Sequence, residues 1–431
     1  MAKNANNKVS IWQSLHNAWK VQDIRKKLIY TFFMLILFRL VGVIPAPGVD
    51  YVRVKSAMSG SNLPLLDLVN MMTGSNFSNM TIMAMGIPPY INSSIIMQLL
   101  TIAIPALERL SKSGPDGQKK IASITRYVTV VLAVIQAIGL VYSLGYIKSG
   151  WFNTVLVGVS MAAGTALAMW IGERITANGL GNGVSLLIFA GIISNLFNGF
   201  TSLIANAFSA TSLTPWLTLL AVLLFALVMI VVVTFVDMGV RRIQVQYAKR
   251  VTGRKMYGGQ SSILPLKVCS VGVMPLIFAY SFMAFPSTLI QLFGGSESGL
   301  GLWWSRYMNY YSPLYMIVTA LLIIAFTYFY TSISFQPDEM AKNIQQQGGV
   351  IPHVRPGKPT ADFLARTNNR LTLFAALFVA VLATLPNLFT VGLQTSVPFA
   401  ASSLLIAVSV VLETKRQLDD LLVSRNYDTL T

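Results

Sequence analysis

WLTLLAVLLFALVMIVVVTFVD, residues 216–237, carries no charge before its last residue, Asp237. A helix needs about 20 mostly apolar residues to cross the hydrocarbon of a bilayer. No water reaches that layer, so every backbone N–H and C=O must be paired within the segment, and a helix does this. The stretch therefore reads as a transmembrane helix. Nine other segments qualify on the same grounds: 27–45, 81–103, 124–146, 154–172, 182–203, 268–292, 312–335, 371–391 and 396–414. The expected fold is an all-α polytopic membrane protein of ten transmembrane helices.

Composition leads to the same place. Of the 431 residues, 54% are hydrophobic and only 11% charged, with a mean hydropathy of +0.62. A soluble domain carries roughly a quarter charged residues, so most of this surface must face lipid. The single cysteine, Cys269, has no partner for an internal disulfide. Residues 1–20 are polar and show no short apolar core with a cleavage site, so they do not read as a removable signal peptide. Within 11–27, Ile11, Leu15, Ala18 and Trp19 recur at helical spacing, which predicts an amphipathic helix lying on the membrane surface.

An even number of spans places both termini on one side. Putting them in the cytoplasm leaves 27 Lys and Arg on the cytoplasmic side and 4 outside, with Arg39 inside the first span. That is the usual positive-inside bias. Two cytoplasmic loops exceed what topology needs. Residues 238–267 hold Arg241, Arg242, Lys249, Arg250, Arg254, Lys255 and Lys267, and residues 336–370 hold Lys342, Arg355, Lys358, Arg366 and Arg370. Anionic lipid is one explanation, at about 1 kcal/mol per basic residue near the surface. A large partner with an acidic or phosphate-rich face is the other. Charge alone leaves both open.

The spans are poor in ionisable groups. Arg39 lies about two-thirds across its span, where it can snorkel outward or bond a neighbouring helix, and His16 and His353 both fall outside the spans. Ion-coupled carriers and intramembrane proteases keep carboxylates, histidines or metal ligands at depth, because such groups are costly there and persist only for function. No HExxH, Walker motif or metal-ligand cluster is present. The expectation is a protein with no catalytic residue, metal or cofactor.

Several hydrophobic regions are broken. LPLLDLVNMM (63–72) is too short to span and is followed by polar TGSNFSN (73–79); the next span contains Gly86, Pro88 and Pro89. Irregular backbone at membrane depth survives only when buried in protein or lining a cavity, so this pattern predicts a re-entrant filter or plug. The fifth span opens with GLGNG (179–183), the seventh holds Gly272, Pro275 and Pro286, and the ninth holds Pro386. Ten spans also divide into five and five, which forces the two halves into opposite orientations, as in inverted-repeat transporters. A pathway between the halves follows.

GIPPYINSSIIMQLL (86–100), ITANGLGNGVSLLIFAGI (175–192), RRIQVQYAKR (241–250), LPLKVCSVGVMPLIFA (264–279), GGVIPHVRPGKPT (348–360) and TSVPFAASSLLIAVSVVLETKRQLDDLL (395–422) occur in this order. Together they resemble the SecY family over nearly the whole chain. The resemblance implies two inverted five-helix halves around a central pore that conducts unfolded polypeptide across the bacterial cytoplasmic membrane and opens sideways into lipid. It implies a pore ring of Ile87, Ile91, Val184, Ile188, Ile277 and Ile406. The implied plug is Asp67, Leu68, Val69, Asn70, Met71, Met72, Thr73 and Gly74, within 67–77. The implied lateral gate involves Asn92, Ser93, Gln98 and Cys269, with the first three facing the third, seventh or eighth span. The basic positions Arg241, Arg242, Lys249, Arg250, Arg355, Lys358, Arg366 and Arg370 become docking residues for the motor ATPase SecA or a ribosome. SecE and SecG are the implied membrane subunits, and signal peptides and unfolded preproteins the implied cargo.

The expected organisation runs from an amphipathic segment (1–26), through a first half (27–205) with a plug at about 63–77, to the sixth helix and first basic loop (206–267). The remaining helices (268–415) contain the second basic loop, and 416–431 form a cytoplasmic tail. Departures from the family pattern are Gln244 for a usual Pro, expected to loosen a turn, Cys269 for a common Asn, and Ala400–Ala401 and TGSN in place of glycine pairs. They leave room for an accessory paralogue with a restricted substrate set. The general channel is expected, because both basic loops have full length; a solute transporter would need a midplane polar site.

Overall fold

Proline and the bilayer decide where the helices begin and end. The computed structural model describes residues 19–50, 76–77, 79–143, 150–209, 214–247, 250–252, 255–257, 261–269, 272, 274–293, 299–308, 312–393 and 401–428. The first part contains α1 (Gln22–Val41), α2 (Pro88–Ala103), α3 (Pro105–Lys112), α4 (Pro115–Ser143), α5 (Trp151–Asn178), α6 (Gly183–Ser209) and α7 (Thr214–Asp237). Strands β1 (Val240–Tyr247), β2 (Arg250–Thr252), β3 (Lys255–Tyr257) and β4 (Ser261–Lys267) follow. The rest is α8 (Met274–Phe293), α9 (Gly299–Tyr307), α10 (Pro313–Ser334), α11 (Pro337–Gln346), β5 (Gly349–Val350), α12 (Lys358–Leu393) and α13 (Ala401–Asp428).

Every one of the ten expected apolar stretches holds a helix. Among the described residues, six of them (α4, α5, α6, α7, α10 and α12) are long and apolar enough to cross a bilayer alone, and α2 with α3 makes a seventh if counted as one bent span. Arg25, Lys26, Lys27 and Arg39 keep α1 from that standard.

The second span starts later than its hydropathy suggests. Helix α2 begins at Pro88, whose missing N–H costs nothing at a first helical position. It ends before Pro105, which disfavours helical backbone at Ile104 (φ −107°, ψ 114°). The chain turns by 101° there into the amphipathic α3. The described residues between 76 and 87 are irregular, with Met80 at φ 42° and Gly86 at φ 53°. Their backbone finds partners in the segment after α1: Ala46 N–H donates to the Met80 carbonyl at 3.0 Å, and Ile82 N–H to the Ile44 carbonyl at 2.9 Å. Phe77, Met80, Met83 and Ala84 are buried. Helix α5 comes close enough that a Cβ on Gly164 would sit 2.1 Å from the Ile82 carbonyl oxygen.

The GLGNG stretch joins α5 to α6 in equally tight fashion. Gly181 takes φ +86°, and Leu180 N–H donates to Thr31 Oγ1 of α1 at 2.9 Å. Asn182 Oδ1 caps α6 by accepting from Val184 and Ser185 N–H at 3.1 and 3.3 Å. Two ion pairs tie helices together, Arg126–Glu173 at 2.8 Å between α4 and α5, and Arg416–Asp237 at 3.0 Å between α13 and α7. Arg416 also donates to the Asp237 carbonyl.

The expectation of an all-α chain needs correcting. Strands β1, β4 and β5 build a three-stranded sheet in the order β4–β1–β5, and β2 pairs separately with β3. The reason is in VRRIQVQY itself: Ile243 and Val245 alternate with exposed Arg242, Gln244 and Gln246, the period-2 pattern of a half-buried strand. Gln244 lies mid-strand opposite Ile263, so it loosens no turn. Pro265 sits on edge strand β4, where its missing donor is tolerated.

Candidate functional site

The largest buried cluster among the described residues of the membrane part gathers side chains from distant parts of the chain. Ile87 and Ile91 come from the start of α2, Val184 and Ile188 from the first turns of α6, Ile277 from the first turn of α8, and Ile406 from α13. Five of them are buried in this cluster and Val184 packs against it, together with Phe38, Met83, Ile171 and Leu276. The six named side chains are all aliphatic and bring no donor or acceptor that would hold water or select one ion. Helices α2, α6 and α8 each enter it from irregular or glycine-rich backbone, at Gly86–Ile87, Gly181–Asn182 and Gly272 respectively. The broken backbone and the aliphatic cluster thus meet.

Four polar positions were expected beside it. Ser93 is buried and spends its hydroxyl on its own helix, donating to the Pro89 carbonyl at 2.8 Å. Asn92 is half-buried. Gln98 reaches another helix: its Oε1 accepts a hydrogen bond from the Tyr330 hydroxyl of α10. The Tyr330 ring packs on Phe278 of α8, 4.9 Å between centroids, so one side chain joins α2, α8 and α10. Cys269 lies between β4 and α8 and lines a small cleft with Thr327, Thr331 and Thr372, whose hydroxyls all donate to carbonyls in their own helices. Tyr330 escapes sequence reasoning, because an aromatic residue in an apolar span looks like packing until its partner is known. Tyr330→Phe keeps the ring and removes the bond. The expected cost is about 1 kcal/mol, read as a lower thermal midpoint and faster hydrogen exchange at the end of α2.

The plug positions Asp67 to Gly74 lie outside the described residues, as does Lys249. Arg250 apart, which lies on the separate β2–β3 pair, the remaining basic positions fall on one structure instead of two loops. Arg241 and Arg242 are exposed on β1 and Arg250 belongs to β2. Arg355 stands exposed in the turn before α12, and Lys358, Arg366 and Arg370 are exposed along the first turns of that helix. The segments are joined by the pairing of Gln246 and Tyr247 with Val350 and Gly349. Beneath them Ile243, Val245, Leu266, Ile344, Ile351 and Leu364 form a core of their own. Hydropathy gives no hint of this, since each segment contributes only a few apolar residues.

Comparison with known proteins agrees with the geometry. The SecY family model matches residues 81–415. The protein translocase subunit SecY of Streptomyces scabiei is 41% identical over 433 residues, covering 95% of this chain and 98% of that one. Its counterpart from Halalkalibacterium halodurans is 39% identical, covering 97% and 99%. Among solved structures, a protein-conducting channel superposes with a TM-score of 0.69 at 20% identity, covering 91% of each chain. The channel of a canine ribosome–channel complex from the endoplasmic reticulum gives 0.63 at 18%, again with 91% of each. At those identities the superpositions speak for the fold alone. The family match spans residues 81–415 and the similarity to these relatives runs nearly end to end, so this chain belongs to the SecY family.

Proposed function

We propose that the chain is the conduit of a protein translocase: it passes unfolded secretory polypeptides across the cytoplasmic membrane and releases apolar segments sideways into lipid. One observation carries this. Six aliphatic side chains, from α2, α6, α8 and α13, meet in one buried cluster where the backbone is irregular. An apolar constriction excludes ions by dewetting yet yields to a threading chain of any sequence. Rings of charge would choose among substrates, which a general conduit must not do.

On this reading the ten helices form two inverted five-helix halves, with both termini in the cytoplasm. Ile87, Ile91, Val184, Ile188, Ile277 and Ile406 are the ring, residues 67–77 the plug beyond it, and Asn92, Ser93, Gln98 and Cys269 belong to the side opening. The halves part between α2 and α8, and a signal sequence drives this by binding the open state better than the closed one. The basic platform docks a ribosome or the motor SecA, which supply the energy the channel lacks, and SecE and SecG accompany it in the membrane. The translocase role of the relatives supports the channel, and the ribosome-bound neighbour supports the docking of a ribosome.

Planar-bilayer conductance tests the reading. The purified intact chain is expected to hold a low baseline, and deletion of residues 67–77 to release large, poorly selective currents. A tight bilayer after deletion, together with uphill transport of a small solute, would replace the channel by a carrier.

A further inference from the structure

The turn that presents Arg355 is held from both sides. Before it, Ile351 is buried in the platform core with Val354 packed alongside, and Val354 N–H donates to the Ile351 carbonyl at 3.1 Å. Between them His353 takes φ +64°, a left-handed conformation that a non-glycine residue keeps only when its surroundings impose it. After it, Gly357 at φ +96° leads the chain into α12, and its carbonyl accepts from Thr360 and Ala361 N–H at 3.1 and 3.2 Å.

Thr360 closes the turn. It is 2% exposed, and its hydroxyl donates to the carbonyl of Arg355 at 2.8 Å. The buried threonines Thr327, Thr331 and Thr372 all bond the carbonyl four residues earlier in their own helices. Thr360 instead reaches five residues back, out of its helix, to the one residue of the turn that carries an exposed positive charge.

We propose that Thr360 is a positioning residue for docking. Its hydroxyl fixes the Arg355 backbone, so that the guanidinium meets a phosphate of the ribosomal surface already aimed. A guanidinium fork gains most from such preparation, because its two parallel bonds demand a set direction and ordering done beforehand is not charged against binding. The inference rests on the docking role proposed above for Arg355.

The experiment measures binding of purified 70S ribosomes to the full chain in lipid nanodiscs, by co-sedimentation, for the wild type, Thr360→Val, Thr360→Ser, Arg355→Ala and the Arg355→Ala/Thr360→Val double variant. Thermal unfolding is recorded for each. Thr360→Val is expected to bind about fivefold more weakly, the size of one lost hydrogen bond. Thr360→Ser should bind as the wild type does, and Thr360→Val should cost nothing further once Arg355 is gone. Equal weakening with and without Arg355, or a fall in the unfolding midpoint that accounts for the loss in both backgrounds, would reduce Thr360 to a structural role. Wild-type binding by Thr360→Val would also overturn the proposal. Wild-type binding by Arg355→Ala would remove the docking role itself, and this inference with it.

Discussion

Ile188→Asn is expected to make a sealed channel leak ions, with conductance in planar bilayers rising on the order of tenfold as the constriction wets. Ile188 is only 1% exposed and belongs to the buried hydrophobic cluster. An amide placed there brings donors and an acceptor into a site that has none to pair with them, at about 1–3 kcal/mol. Water relieves that cost by entering, and water in the constriction is what carries ions. Ile188→Leu conserves volume and apolarity and should leave the seal intact. Leu224→Asn, on the outward face of α7 at 61% exposure, meets lipid and should open no path. A folded Ile188→Asn protein whose bilayers stay as tight as the wild type's would show that this cluster is packing and not a seal.

Gly183→Ala should destabilise the fold by at least about 3 kcal/mol, the upper end for overpacking. A Cβ at Gly183 would stand 1.9 Å from the Gly172 carbonyl oxygen, 2.8 Å from its carbon and 2.9 Å from the Ile175 Cβ. None of these is the far end of a flexible side chain, so relief requires α5 and α6 to move apart. That would disturb the Thr176 Oγ1 bond accepted from Gly183 N–H at 2.9 Å and displace Val184 and Ile188 from the cluster. Helix propensity works the other way, favouring alanine by up to about 1 kcal/mol, and is too small to offset the clash. Gly299→Ala, with nothing within 4 Å of the added atom, is the control expected to remain near neutral. Thermal unfolding and yield of the purified proteins check both. A Gly183→Ala midpoint equal to that of Gly299→Ala would rule out the close approach.

How far each feature was legible depends on how local its cause is. The positions of the apolar helices were plain, because hydropathy over about 20 residues answers to the bilayer and not to any neighbour. GLGNG is legible as a break at the start of the fifth span, and Gly181 and Gly183 show its use: one adopts a positive φ, the other lies against a carbonyl. The start of α2 was placed seven residues early, at 81 instead of 88, because Met83 to Ile87 are as apolar as a span. The irregular backbone just before them, at Met80 and Ile82, takes its partners from Ala46 and Ile44 across the break. The sheet at 240–267 was missed for a related reason. Ile243 and Val245 are two apolar residues among basic ones, and they form a buried face only when Ile344, Ile351 and Leu364 arrive from a segment about 100 residues later.

Read alone, the sequence determined that the chain lives in a membrane, which long apolar stretches hold helices, and through six ordered motifs which family it joins. All of these follow from composition and short-range pattern. The family resemblance named the six aliphatic residues from Ile87 to Ile406, and the tertiary structure packs them in one cluster; only that structure decided that Gln98 answers to Tyr330 and that segments of the two basic loops share a common core. The physical reason is the same in each case. An apolar or hydroxyl side chain carries no sign of its partner, and the choice among equivalent partners is made by packing between helices that are far apart in the chain.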